Sequence, residues 1–497
     1  MARLCNAALD RLPAGIARPR YDRTRVTTGI VHLGIGAFFR AHGAVYVDDA
    51  LAAGDPGWGI VGASLRSPDT RDALAPQDGL YTLAVRGRAG ASYRVIGALG
   101  KILVAPENPE ALLRALADPK VRIVSLTVTE KGYCHDPATG QLDARHPDIT
   151  HDLQHPHAPR SALGFLVEAL ARRRAAGVAP FTALTCDNLP SNGRTLHRVL
   201  SRLAELRDRD LGRFVAAEVA CPSTMLDRIV PATTDDDRAE VAAALGLQDA
   251  WPVVAEPYSL WVVEDRFPAG RPDFTSHEVK LVAEVEPWER MKLRLLNGSH
   301  STLAYLGHLA GYATIAETMT DPHFVALVRG LMDEEVTPTL AVPVGADVGA
   351  YKRSLLERFA NPALKHRTWQ IAMDGSQKLP QRLLDTARDR LKAGAPIPRI
   401  ALAVAGWMRY VTGRGEAGQP IDVRDPLASR LLRIADEVGP SAERLAQRLL
   451  AIAEIFGSDL AADPRFAGPV TAALERLYRH GAKRTVAQLV ARPDGSA

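Results

Sequence analysis

Apolar positions follow two different rhythms along this chain. In the first half, short β-branched and aliphatic runs at Thr28–Leu33, 58–65, 93–96, 123–129 and 181–186 read as strands. Helical spacing at Pro109–Ala117 and 162–176 separates some of them, an alternation that predicts an α/β domain. Trp261, Val262 and Val263 predict a further strand that closes this domain. Beyond Pro287 the strand signal ends, and helices are predicted at 322–335, Val348–Phe359, 377–393, 400–411 and 441–455. Leu4, Ala8 and Leu12, ahead of Pro13, predict a short packing helix at the start. The expected division is an α/β domain over 1–283 and a mainly α-helical domain over 284–497. Neither contains a visible repeat or low-complexity segment, and 413–420 reads as a glycine-rich loop.

The strand at Thr28–Leu33 runs straight into Gly34-Ile35-Gly36-Ala37-Phe38-Phe39-Arg40, a glycine turn opening a helix. Glycines let backbone approach phosphates, and a helix N-terminus offers unpaired N–H groups, so a dinucleotide pyrophosphate is expected there. The pattern is an incomplete GxGxxG, with Phe39 in the third glycine's place, and taken alone it equally suits a plain strand–helix connection. In a Rossmann-like sheet the end of the next strand meets the adenosine ribose, and Arg66 to Asp69 lie there. Asp69 could accept from the ribose hydroxyls and favour NAD, whereas Arg66 could pair with a 2′-phosphate and favour NADP. Glu130 and Asn188 follow the strands at 123–129 and 181–186, at the sheet edge where ligands gather, although an Asn before Leu189-Pro190 is ordinarily a turn residue. Asp227 and Arg228 could form a structural ion pair or line the cleft.

From Glu284 to Tyr312 charged and amide groups interrupt an otherwise apolar helical pattern. Leu293, Leu296, Leu303 and Leu306 mark one stripe, with Lys292, Asn297 and His300 off it. At about 100° per residue, Asn297 lies roughly 140° and His300 roughly 80° from Lys292, so all three can project into one hemisphere. Such a set suits alcohol–carbonyl interconversion without a metal. A desolvated lysine titrates below its reference value of about 10.4 and can take the alcohol proton. Asn297 can donate to the oxygen as it gains alkoxide character, and His300 can hold that oxygen in line. Glu289, one turn before Lys292, could relay its proton or simply form a surface pair. The bland alternative is a solvated face, with Asn297-Gly298 a break between two helices.

Composition acts by exclusion. Of 497 residues, 46% are apolar and 24% charged, an ordinary globular balance. A net charge of +4 from 61 basic and 57 acidic residues, with no basic tract, gives no nucleic-acid footprint. No apolar run approaches the roughly 20 residues that span a bilayer, and the opening segment has no signal-peptide core. Cys5, Cys134, Cys186 and Cys221 are far apart and form neither a CxxC pair nor a disulfide framework, as expected of reduced thiols in a cytoplasmic protein. His300 has only His308 nearby, so a metal-dependent dehydrogenase is disfavoured.

The K-x4-N-x2-H spacing in MKLRLLNGSHS, together with IVHLGIGAFFRAH, LTVTEKGY, TCDNLPSNG, EPYSLWVVEDRF and DGSQKLP, resembles the mannitol dehydrogenase family of long-chain polyol dehydrogenases and reductases along nearly the whole chain. The resemblance implies a nicotinamide cofactor, mainly NAD, no catalytic metal, and catalysis by Lys292, Asn188, Asn297 and His300. It also implies GxGxFxRAH as that family's phosphate turn, and an acidic residue near the cofactor at Asp227. The segment KHRTWQIAMDGSQKLPQRLLD looks like that of the family's fructuronate reductases, in which Arg367 and Lys378 would grip a carboxylate; alternatively they fix interhelix packing. The expected protein is a cytoplasmic NAD-dependent enzyme interconverting D-fructuronate and D-mannonate, a monomer or small homo-oligomer. Mannitol or another polyol, ketose or tagaturonate is the alternative substrate. A non-catalytic sugar-binding or regulatory protein would keep the cleft without needing Lys292.

Overall fold

Among residues 1–136, 139–274 and 279–491, which the computed structural model describes, eleven strands form. They are β1 (Thr28–Leu33), β2 (Gly59–Ser64), β3 (Tyr81–Gly87), β4 (Gly90–Ile96), β5 (Leu99–Val104), β6 (Ile123–Leu126), β7 (Thr182–Thr185), β8 (Thr224–Asp227), β9 (Val253–Ala255), β10 (Leu260–Glu264) and β11 (Val279–Val282). All lie in the first of two units, Met1–Glu286 and Pro287–Ala497.

The central sheet has the order β5-β2-β1-β6-β7 and is parallel throughout. Its strands read as continuous apolar runs because helices cover both faces; Val31, Leu33, Val124, Leu126 and Ala183 are fully buried. The helices Pro109–Ala117 and Ala162–Ala175 pack together beside it. Sequence order runs outward from β1 in both directions, so the direction switches between β1 and β6, the place where an open α/β sheet leaves a crevice at the strands' C-terminal ends. This is the Rossmann arrangement expected from the alternation of strands and helices.

Two small sheets complete the unit, β4-β3-β9 and β11-β10-β8. The strand predicted at 93–96 therefore exists as half of an antiparallel hairpin with β3, outside the parallel sheet. The predicted opening helix is a short 3-10 turn, Asn6–Arg11.

From Pro287 onward the described residues form helices and no strand, as the loss of period-two patterning predicts. Pro398–Tyr410 packs against both Pro464–Val490 and Gly298–Leu309. Leu303, Tyr305, Leu306 and Trp407 are fully buried where these helices meet, and each leucine there contributes about 1.5–3 kcal/mol. Two predicted helices are interrupted by π turns, Leu331–Val336 and Pro380–Leu384. Pro380 has no N–H to continue the α-helical ladder, a sufficient reason for the second. Pro464–Val490 escapes sequence reading because it carries Pro469 and a non-helical Gly481 at φ 73°. No helix among the described residues is long and apolar enough to cross a membrane.

Candidate active site

In the first unit a cleft of about 1010 Å³ opens at the C-terminal ends of β1, β2, β5 and β6. Gly34, Ile35 and Gly36 line it, with Arg66 beyond β2 and Thr127, Val128, Thr129, Lys131 and Gly132 beyond β6. Gly34 has φ 91°, and a Cβ there would lie 2.1 Å from the Thr127 carbonyl oxygen, so only glycine permits the turn. Gly36 differs: φ is −79°, and a Cβ would meet no protein atom closer than 3.9 Å. The space at Gly36 opens into the cleft and is not filled by the fold.

The third glycine's place is taken by Phe39 because its ring stacks on His32, centroids 3.3 Å apart. His32 bridges the two central strands, its ring nitrogens bonding Ser125 Oγ (2.8 Å) and Thr127 Oγ1 (2.9 Å). Burial holds its pKa down at about 3, so the ring stays neutral. Nothing in the sequence pattern pointed to this histidine.

Other residues expected around a cofactor are placed differently. Ala37 and Phe38 begin the short helix Ala37–Ala41 and are absent from the cleft lining. Arg40 turns into the core: it is 3% exposed, donates from Nη1 to the Trp251 carbonyl (2.5 Å), and lies over the Tyr81 ring. Arg66 lines the cleft, whereas Asp69 stands at the start of a helix and accepts from Ser67 Oγ at 2.9 Å. Glu130 is exposed in the turn Glu130–Tyr133, which supplies Lys131 and Gly132 to the wall. Asp227 is buried at the end of β8, in a smaller sheet. Arg228 donates to the carbonyls of Ala41 and Glu256.

Asn188 is exposed just after β7. Its neighbour Asp187 organises the loops: the carboxylate accepts from the Val128 N–H (2.9 Å), the Thr129 N–H (3.0 Å) and Tyr133 Oη (2.8 Å). These bonds hold Thr129 at φ 64°, ψ 164°, a region that is costly for any residue with a side chain. The Asn192 amide adds a second tie, donating to the Asp187 carbonyl and accepting from Thr224 N–H.

In the second unit the residues from Lys292 to His300 do not form a simple helix with a break. Lys292 ends the helix Glu286–Lys292, and Leu293–Asn297 form a π turn in which Gly298 N–H donates to the Leu293 carbonyl. A π turn bonds residues five apart, so it brings Asn297 toward the face of Lys292, closer than the roughly 140° of an α-helix. Gly298 continues the helix rather than ending it. Its missing side chain admits the Arg382 carbonyl oxygen, which would be 2.7 Å from a Cβ. Arg294 anchors the turn through Asp389 (2.6 Å) and Thr339 Oγ1 (2.7 Å).

The following helix, Gly298–Leu309, is buried almost all round rather than along one stripe, so its polar residues are interior. His300 is 6% exposed; its ring stacks on Phe359 and meets the His366 ring edge-on, centroids 4.8 Å apart. Burial first, then His366 and the charges of Arg382, Arg358 and Lys378, hold its pKa well below 6.5, so His300 is neutral. Arg358 and Arg382 are 7% and 8% exposed, and Arg382 donates to Ser301 Oγ at 3.1 Å. Lys378 donates to the Met373 carbonyl at 2.5 Å. Arg367, by contrast, is exposed at the N-cap of Thr368–Ala372. Glu289 is half-buried one turn before Lys292. Arg358, Arg382 and His366 lie some 60 to 80 residues from His300 in sequence, too far for any local pattern to signal them. Among the described residues, no group of three or more His, Cys, Asp or Glu side chains could hold a metal ion.

These two sites can be set beside known proteins. The profile described as the Mannitol dehydrogenase Rossmann domain matches residues 28–276, and that of the Mannitol dehydrogenase C-terminal domain matches 284–478. A D-mannonate oxidoreductase of Escherichia coli is 47% identical, over 95% of this chain and 98% of its own length. A mannitol 2-dehydrogenase of Phaeosphaeria nodorum is 41% identical over 95% of this chain and 83% of its own. The structure of Pseudomonas fluorescens mannitol 2-dehydrogenase, a ternary complex with NAD and D-mannitol, superposes with a TM-score of 0.91 at 40% identity, covering 99% of this chain and all of that one. Matched along nearly its whole length by profile, relative and structure, the chain belongs to the mannitol dehydrogenase family and is an oxidoreductase of that family.

Proposed function

We propose that this enzyme uses NAD to interconvert D-fructuronate and D-mannonate, with a mannitol-type polyol as the second reading. The observation that carries the uronate reading is the set of cations beside His300, the buried Arg382 and Arg358 together with Lys378. A neutral polyol offers such a site hydroxyl oxygens only, whereas a carboxylate brings the opposite charge and accepts the stronger bonds between two ionised groups. The 47% identity to a D-mannonate oxidoreductase supports the same reading, and the mannitol 2-dehydrogenases at similar distance support the second.

The first-unit cleft suits a dinucleotide, with Gly34 fixing the turn and Gly36 leaving room for the phosphates. When bound, the cofactor supplies or accepts the hydride. Lys292 takes the alcohol proton in oxidation and returns it in reduction. Asn297 and Asn188 donate N–H to the oxygen as it gains alkoxide character, and neutral His300 holds that oxygen. Glu289 passes the Lys292 proton onward. Lys378, whose ammonium is held at the Met373 carbonyl beside His300, meets the substrate carboxylate, and Arg367 is the second candidate. Free thiols at all four cysteines agree with a cytoplasmic setting.

The glycine turn gives a paired test. Gly34→Ala is expected to lose on the order of 1–3 kcal/mol of stability through clash and positive φ. Gly36→Ala should leave the melting temperature unchanged or slightly raised, yet weaken NADH binding. Denaturation curves and NADH titrations separate them; equal stability losses would contradict this reading of the turn.

The function itself is tested by NADH oxidation on adding fructuronate, with and without a strong chelator. Turnover that survives chelation, faster with NADH than with NADPH, is expected. Preference for NADPH would implicate Arg66, which lines the cleft, over Asp69. No oxidation of NADH with fructuronate would defeat the proposal.

A further inference from the structure

Among the polar side-chain atoms of the second unit that are buried without a hydrogen-bond partner among the described residues are Asn297 Oδ1, His300 Nε2 and His366 Nδ1. Burying an unpaired ring nitrogen or amide oxygen is unfavourable, so such atoms mark places where a ligand completes the bonding. Asn297 and His300 are one helical turn apart, and the His366 ring meets His300 at 4.8 Å and 70°. We propose that His366 is a specificity-determining residue that touches substrate, its ring hydrogen-bonding a hydroxyl of the bound sugar acid beside the carbon that reacts at His300. The identity of the sugar and the place of the reacting carbon at His300 rest on the function proposed above.

The backbone around His366 is anchored independently of the ring. Its carbonyl accepts from Ile315 N–H (2.9 Å), Thr314 and Arg367 form a bridge, and Thr368 N–H donates to the Ala313 carbonyl (3.0 Å). The ring is therefore not needed to cap or close this turn. Burial, then the nearby Lys378 charge, holds its pKa at about 4, so the neutral ring offers one donor and one acceptor. A hydroxyl matches that pair, being itself donor and acceptor. The adjacent Arg367 is exposed, so within this segment the histidine, rather than the arginine, faces the buried polar atoms of the site.

The test compares His366→Phe, which keeps ring volume but no nitrogen, with His366→Gln, which keeps a donor and an acceptor. The Phe variant should lose about 10- to 100-fold in kcat/KM for the sugar, mainly through KM, at unchanged melting temperature and NADH affinity. The Gln variant should recover part of that loss. A Phe variant within about threefold of the parent, or both variants losing melting temperature and activity together, would overturn the proposal. Both are assayed on fructuronate and fructose. If the parent ignores fructuronate, the uronate reading fails, and His366 is judged on whichever carbonyl substrate the parent reduces.

Discussion

Replacing Lys292 by Ala is expected to cut turnover about 10²- to 10⁴-fold, the usual range for a lost general base, while NADH still binds. The separation follows from where the residues are. Lys292 is on the last turn of Glu286–Lys292 in the second unit, and the glycine cleft is built entirely from first-unit residues. The pH dependence provides a second readout. An ammonium must lose its proton before it can accept one from an alcohol, so mannonate oxidation in the parent should rise with pH. That rise should vanish in the variant. His300 cannot mimic it, because burial and its cationic neighbours keep its pKa well below 6.5 and it is already neutral across that range. Steady-state rates across pH, with NADH titrations alongside, check both parts. Near-normal turnover with an unchanged profile would make Lys292 a packing or surface lysine.

What the sequence made legible, and what it hid, divides along physical lines. β1, Pro109–Ala117 and Val348–Phe359 were readable to the residue because local patterning alone specifies them. Gly34 and Gly36 were readable as a turn, but their different duties, one steric and one spatial, depend on what lies across β6. Phe39 looked like a defect in a glycine pattern and is a stacking partner for His32, a tertiary fact. Arg40 stood among the residues expected at the cofactor turn because it follows the glycines, yet it turns onto Tyr81 and Trp251. The Asn297-Gly298 pair reads locally as a helix break. The approach of the Arg382 carbonyl, which needs that glycine, is made by a segment far along the chain. The buried arginines around His300 were hidden for the same reason: Arg358 and Arg382 come from two other elements.

Substrate charge is where the second large effect is expected. Fructuronate and fructose each present a ketone to the same machinery and differ in a terminal carboxylate. Charge-assisted bonds contribute about 1.5–3 kcal/mol each, so one or two of them from the cations around His300 correspond to roughly 10- to 10⁴-fold. Screening is weak here because Arg358 and Arg382 are 7% and 8% exposed. The measurement that bears most directly on the whole account is therefore the ratio of kcat/KM for fructuronate and fructose with saturating NADH. A ratio of about 10² or more in favour of fructuronate, falling when Lys378 is replaced by Met, is predicted. Equal efficiency on both sugars, or a preference for fructose, would contradict the assignment of a sugar acid to this site.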